Sequence, residues 1–477
     1  MRQSFLFNTI FALGVNFVIK PIWVFGIDRN VQNQLGSEEY GLYFGIFNYT
    51  YIFQILLDFG LQNYNQTEIG SDNSKFGKLF PGILSAKLLL TILYLVASIG
   101  GGVVLGYASY DFFPWLILNQ VLLSFNILLR SNISAHRLFI KDAFLSVLDK
   151  SLMIIGGVLM LIPAIHWLPL SILNFVWIQT IALLLTSFFC IYYNLKLSTS
   201  FEWQIDIQLF RKIIVQALPF ALIYFLMTIY YRIDSLMIEQ LLGQKGANEA
   251  GIYAQSYRIM ESVNNIGYIL AGVLLPLFAS HIGKKSSVQH VLKQGYNIIL
   301  TMIVPIVIGG VFYAQEIIST LYPNEDAIYS SQIFIILLLN FAPVGILYVL
   351  GPLLTAKKAF KVMIPSLVVA CFINVIANYL LIPIYGALGA AFTTFCTQIF
   401  MLLIYWIATH ILFKIQVNWK VVSSTLMYVL IGVVFNYLIK HTGIYWMFGV
   451  VIVGGGCLFF SILLKIISKE TLSLKIR

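Results

Sequence analysis

Charge is scarce in this sequence: Asp, Glu, Lys and Arg make up 10% of its 477 residues. At 60% hydrophobic, the chain could not cover its apolar surface as a soluble domain. Cysteine is rare too. Cys190, Cys371, Cys396 and Cys457 lie in apolar stretches and form no CxxC pair. They signal neither a disulfide framework nor a metal site, and read as buried structural thiols. There is no GxxxxGK[ST] phosphate loop and no metal-spaced His/Cys cluster. His136, His166, His281, His290, His410 and His441 fall in loops or near the ends of apolar runs. No loop is large enough to house a catalytic domain. No cofactor and no catalytic residue is therefore expected, and ATP-driven or enzymatic chemistry within this chain is disfavoured.

What is present is a succession of long apolar runs, with a mean hydropathy of +0.89. A spanning helix needs about 20 apolar residues, so about 14 spans would use roughly 60% of the chain. The runs fall at 4–26, 41–62, 80–105, 112–130, 144–164, 171–195, 213–242, 251–280, 294–315, 331–355, 362–383, 387–410, 421–440 and 444–467. Arg2 precedes the first, which lacks an A-x-A-like cleavage site and reads as a retained helix. The fold class expected is an all-α polytopic membrane protein.

The net charge of +10 is not gathered into one nucleic-acid-binding patch. With the N-terminus in the cytoplasm, all but six of the 29 basic residues fall on the cytoplasmic side; the six are Lys20, Arg29, Arg232, Lys245, Arg258 and Lys440. This is the positive-inside bias, and it places both termini in the cytoplasm.

A repeat accompanies the spans. "IDRNVQNQLGSEEYGLY" from Ile27 and "IDSLMIEQLLGQKGANEAGIY" from Ile233 share Ile-Asp, Gln-Leu, Gly and Glu-x-Gly-x-Tyr in order. Each joins an odd span to the next even one, so the repeat is parallel, with its axis along the membrane normal. Residues 1–202 become an N-lobe of spans one to six, 203–411 a C-lobe of spans seven to twelve, and 412–477 two added spans and a cytoplasmic tail. Two such lobes facing one another leave a central cavity, the usual arrangement for alternating access.

Charge inside the hydrocarbon region is costly unless it faces a cavity or a partner. The seventh span nevertheless carries Arg232, Asp234 and Glu239 within "IYYRIDSLMIEQ". On the eighth, Arg258, Glu261, Asn265 and Tyr268 form one helical stripe. Asn48, Tyr51, Asp58 and Gln62 align on the second span, Asn8, Asn16 and Lys20 on the first, and Asn119, Asn126 and Arg130 on the fourth. If the repeat holds, Lys20, Arg232 and Arg258 make a cationic cavity suited to an anionic head group, with arginine well shaped for phosphate oxygens. The structural alternatives are a locking Arg258–Glu261 pair, an Arg232 that snorkels to the outer interface, and a bend at Pro21 that explains Lys20. Asp58, Asp149, Glu239 and Glu261 are the candidates for ion coupling or charge balance. Asp149 lies beside Lys150 near a cytoplasmic end, and the structural alternative is that both are simply wet.

"ALPFALIYFLMTIYYRIDSLMIEQLLG", "AGIYAQSYRIMES" and "LLPLFAS" resemble the polysaccharide-transport branch of the multidrug/oligosaccharidyl-lipid/polysaccharide exporter superfamily. So do "LGSEEYGLY", "LLDFGL" and "NVIANYLLIPIYGALGAAFTT", and the likeness runs across nearly the whole chain. The resemblance implies a flippase of the bacterial inner membrane for O-antigen, capsule or exopolysaccharide units. Its substrate would be a polyprenyl-pyrophosphate-linked oligosaccharide, moved from the inner to the outer leaflet. The basic cavity residues would hold the pyrophosphate. Polymerase machinery would be a candidate partner, and coupling to H+, Na+ or the membrane potential stays open. The alternatives are a cation-coupled drug exporter of the same superfamily, a membrane enzyme such as an O-antigen polymerase or acyltransferase, and a structural scaffold. The last two spans and the basic cavity weigh against the exporter. The missing catalytic loop weighs against the enzyme, and the aligned intramembrane charges against the scaffold.

Overall fold

The structure, a computed structural model, describes residues 18–62, 64–65, 69, 76–136, 138–162, 168–197, 207–415 and 419–466. Most of the expected first span, with Asn8 and Asn16, lies outside these residues, as do Arg2, Lys75, Arg137, His166, Lys469, Lys475 and Arg477. The chain divides into two compact units, 1–239 and 240–477. The division falls inside a long helix.

In unit 1, residues 18–21 are helical and run into a π-helical stretch, Ile22–Asp28, directly after Pro21. Proline lacks the N–H that a regular helix needs, and a π-bulge absorbs the lost bond. Then come α1 (Arg29–Leu35), α2 (Ser37–Ile52), α3 (Ile55–Asp58), α4 (Phe76–Val104), α5 (Phe113–Ala135), α6 (Phe139–Leu161), α7 (Ile172–Leu197) and α8 (Ile207–Leu241). Its interior is aromatic. Trp23 stacks on Phe175 with centroids 5.6 Å apart, and Tyr43 meets the same ring edge-on at 5.5 Å.

Unit 2 contains α9 (Gly246–Gly283), α10 (Gln289–Phe312), α11 (Ala314–Leu321), α12 (Ala327–Ala356), α13 (Phe360–Tyr385), α14 (Ala387–Phe413), α15 (Trp419–His441) and α16 (Trp446–Leu463). A small residue lets α9 and α12 pack closely: a Cβ on Gly267 of α9 would lie 2.0 Å from the Tyr348 ring of α12. Without a hydrophobic drive between helices in lipid, such close backbone packing supplies much of the association. Glu249 ties three elements together. It accepts from the Tyr329 hydroxyl at 2.6 Å and from the Ala387 amide at 2.9 Å, where its charge also meets the N-terminus of α14. The last two helices dock on α10, where Val304 and Ile308 pack with Tyr428, Val453 and Cys457.

Among the described residues, twelve helices are long and apolar enough to cross a membrane: α4 to α10 and α12 to α16. They coincide with the expected spans three to fourteen. The expected second span is not one continuous helix. It is interrupted at Phe53 and Gln54 and stops at Asp58, where Phe59 and Gly60 take left-handed φ values of 42° and 83°. Asn48 and Tyr51 therefore do not share a single helical stripe with Asp58 and Gln62. The two copies of the sequence repeat do share a local form, with a positive-φ glycine between helices: Gly36 at φ 85° and Gly243 at φ 56°. The thiol reading needs one correction. Cys190, Cys371 and Cys457 are buried, but Cys396 is exposed on the outward face of α14 with Phe392 and Ile399.

One end of unit 2 is strongly basic. Successive spanning helices joined by short turns run antiparallel. That brings the C-terminal ends of α9, α12, α14 and α16 to one side, and each is followed by a lysine in left-handed conformation: Lys285, Lys358, Lys414 and Lys465, at φ 51° to 56°. Glycine usually takes this position. After α9, α12 and α16 the paired closing bonds are present, as in Ala359 N–H to Leu354 O at 3.0 Å and Lys358 N–H to Thr355 O at 2.9 Å. A lysine here costs backbone strain but sets a cation at the negative end of the helix dipole. We expect Lys358→Gly to stay within about 0.5 kcal/mol of the parent, since relieved strain offsets the lost dipole interaction and the gain in unfolded-chain entropy. Lys358→Val should cost about 1–2 kcal/mol, because a β-branched residue fits the left-handed region poorly. Thermal midpoints in one detergent, compared across the pair, check the order.

Candidate functional site

In unit 1, Arg232 sits midway through the apolar stretch of α8 and is half-buried. Its Nη1 donates to Asn48 Oδ1 at 3.0 Å, and its guanidinium carbon lies 4.4 Å from the centroid of the Tyr51 ring. Asn48 is itself fixed: its amide donates to Phe44 O at 3.0 Å and to Ser235 Oγ at 2.8 Å. The guanidinium is thus oriented by an amide and by an aromatic face, a cation–π contact that strengthens when desolvated. Glu239 meets the same helix further along, its Cβ 3.4 Å from where a Cβ on Gly45 would stand, and it accepts from the Tyr107 hydroxyl. Asp234 is buried.

Asp58 is spent on the break in the second span. Its carboxylate oxygens accept from the Gly60 and Gln62 amides, each at 3.2 Å, which satisfies backbone donors that the lost helix turn leaves open. Beside it stands a residue that the loop count concealed. Lys87, reckoned among the cytoplasmic-side cations, lies inside α4 and is fully buried. Its ammonium donates to Leu57 O at 2.7 Å and to Ser124 Oγ at 2.5 Å, and lies 5.5 Å from the Phe125 ring centroid. The run "ILSAKLLLTILYLV" carried the signal, since a lysine in so apolar a stretch needs a partner as much as Arg232 does.

Lys20 is exposed, one turn before Trp23. Lys150 reaches that tryptophan from α6, its Nζ 5.5 Å from the ring centroid and 3.7 Å from Asp149 Oδ2. Asp149 is buried rather than wet, because α6 packs this turn toward the interior of unit 1.

In unit 2, Arg258 and Glu261 form an ion pair on α9, Nη1 to Oε2 at 3.2 Å. The arginine side chain is 12% exposed and the glutamate 33%. Asn265 bonds back to Glu261 O at 3.1 Å, and Tyr268 leans on Tyr348 with centroids 5.1 Å apart. The stripe expected on this helix is therefore present, with its charges matched within one turn. Among the described residues no three His, Cys, Asp or Glu side chains gather as a metal site.

This arrangement of apolar helices is similar to that of several solved membrane proteins. The chain superposes on the lipid II flippase MurJ in an inward closed conformation with a TM-score of 0.73, at 14% identity over 96% of this chain and 98% of that one. An inward-facing multidrug resistance MATE family transporter of the MOP superfamily gives 0.63 at 13% identity over 85% and 94%. A mutant of the Vibrio cholerae MATE transporter VcmN gives 0.57 at 14% identity over 85% and 98%. The chain belongs to the polysaccharide biosynthesis protein family, whose profile matches residues 6–281. No curated protein matches it.

Proposed function

We propose that the protein is a flippase that carries a polyprenyl-pyrophosphate-linked oligosaccharide, an O-antigen, capsule or exopolysaccharide unit, from the inner to the outer leaflet by alternating access. Membership of a polysaccharide biosynthesis family and a transporter fold support the reading together. The observation that carries it is Arg232, a guanidinium held inside an apolar spanning helix by Asn48 and Tyr51. A fixed planar fork of this kind suits the paired oxygens of a pyrophosphate. Arg258 and Lys20 are the further cations assigned to the head group. Asp58, Asp149, Glu239 and Glu261 balance charge, with any coupling ion, H+ or Na+, or the membrane potential acting through them. The basic end of unit 2 faces the cytoplasm in this reading, so reporter fusions at Lys284 and Lys357 should both report cytoplasm; a periplasmic signal at either would overturn the orientation.

Depletion in the native host is the test of substrate. A lipid-linked saccharide should accumulate on the cytoplasmic leaflet, and its identity names the unit carried. Accumulation of a cationic drug instead would favour a multidrug exporter.

Arg258 has its own test, because its ion pair with Glu261 offers a purely structural explanation. Arg258→Gln is expected to lower flipping about tenfold or more, the value of one charge-assisted hydrogen bond. Glu261→Gln should lower it less. If the arginine serves the head group, the double substitution stays as impaired as Arg258→Gln at matched membrane levels. Full recovery in the double variant returns Arg258 to structure.

A further inference from the structure

We propose that unit 2 holds a membrane phospholipid with an anionic phosphate head group, in a pocket at its basic end between α10, α12, α14 and α15. The pocket encloses about 1060 Å³. That is just above the roughly 300–1,000 Å³ typical of small-molecule sites. Its wall is hydrocarbon, with Ile346, Val349 and Leu350 from α12 and Leu402 from α14. Its flank opens where Leu403 and Trp406 are exposed, toward lipid rather than toward water. An occupant with acyl chains fits this wall, and a polar metabolite does not.

The rim is of the opposite character. Lys293 stands near the start of α10, Lys420 in the first turn of α15 and His410 in the last turn of α14. Two lysines near helix N-termini work against the helix dipole, which favours anions there. A phosphate between them reverses that balance, because it gains both the cations and the dipoles. Trp406 and Trp419, 49% and 76% exposed, mark the depth at which aromatic side chains meet lipid head groups.

A second observation concerns the pocket wall. Thr409 lines it, is 3% exposed, and its hydroxyl has no hydrogen-bond partner among the described residues. A helical threonine ordinarily bonds the carbonyl one turn back, as Thr397 of the same helix does to Thr393 O at 2.8 Å. A buried hydroxyl without a partner is costly, and a rotamer change that turns it toward the pocket would bring it within reach of a phosphate or glycerol oxygen. Basic pockets between spanning helices on the cytoplasmic side are suited to such head groups.

The experiment uses the full chain in phosphatidylcholine vesicles with a trace of photoactivatable phosphatidylglycerol, or of photoactivatable phosphatidylcholine with the same acyl chains. Cross-linked peptides are mapped. The anionic probe should label the peptides around Leu402–His410 and Trp419–Val422 well above the zwitterionic one. Lys293→Gln with Lys420→Gln should reduce that labelling about tenfold or more, from roughly fivefold per lysine near an anionic surface. Leu350→Trp, which fills the wall, should abolish labelling there by both probes. Millimolar inorganic phosphate should not compete; full competition would make this a free-anion site and overturn the proposal. Equal labelling by the two lipids in the parent protein would also overturn it, as would full labelling in the double lysine variant. The readout involves no transport, so it stands or falls separately from the flippase reading.

Discussion

Arg232→Gln should abolish most transport, and Arg232→Lys should leave a measurable part of it. The glutamine is too short to reach Asn48 Oδ1 as the guanidinium does, and it loses the charge and the flat cation over Tyr51. Removing one charge-assisted hydrogen bond costs roughly 1.5–3 kcal/mol, which is tenfold or more in head-group affinity. Lysine keeps the charge and loses the fork, so a bidentate contact becomes a single one. Initial flipping rates at several concentrations of lipid-linked saccharide, with membrane levels matched, separate affinity from folding. Equal loss in both variants would mean that Arg232 acts only through packing on α2.

Lys87→Met is expected to have the largest effect on stability. Methionine nearly fills the same volume, so the change is chiefly electrostatic. It strands the Leu57 carbonyl, opened by the break in the second span, and removes the donor to Ser124 Oγ. It also removes the cation near Asp58. A buried acceptor left without a partner costs about 1–3 kcal/mol, so a loss of about 3 kcal/mol is expected. The thermal midpoint in detergent should fall by several degrees, with transport falling alongside it. An unchanged midpoint with transport lost would move Lys87 out of structure and into the handling of substrate or ion.

Much of this was legible in the residues. Apolar runs fixed the positions of α4 to α10 and α12 to α16, because hydrocarbon thickness demands a set length of apolar chain whatever its neighbours. The Arg258–Glu261 pair followed from three-residue spacing on one helix. Arg232 stood out as a charge in an apolar run, but its partners Asn48 and Tyr51 lie far away in sequence, and no local pattern names them. The break after Asp58 had a weak local sign in Phe59-Gly60, outweighed by the apolar residues around it. Lys87 was hidden by its proximity to basic residues that do lie near a helix end. The left-handed lysines at positions 285, 358, 414 and 465 had no sign at all, since a lysine after a helix looks the same in either backbone conformation. Nor could Cys396 be placed, because which face of α14 turns inward depends on the helices that pack against it.

The most direct measurement is made on purified protein in liposomes that carry a polyprenyl-pyrophosphate-linked oligosaccharide, with a probe that reads one leaflet only. The lipid should cross at a rate that depends on the protein and on Arg232, and mass spectrometry should find it chemically unchanged. A polymerised, trimmed or acylated product made by this chain alone would contradict the flippase reading, and so would leaflet exchange no faster than in protein-free liposomes.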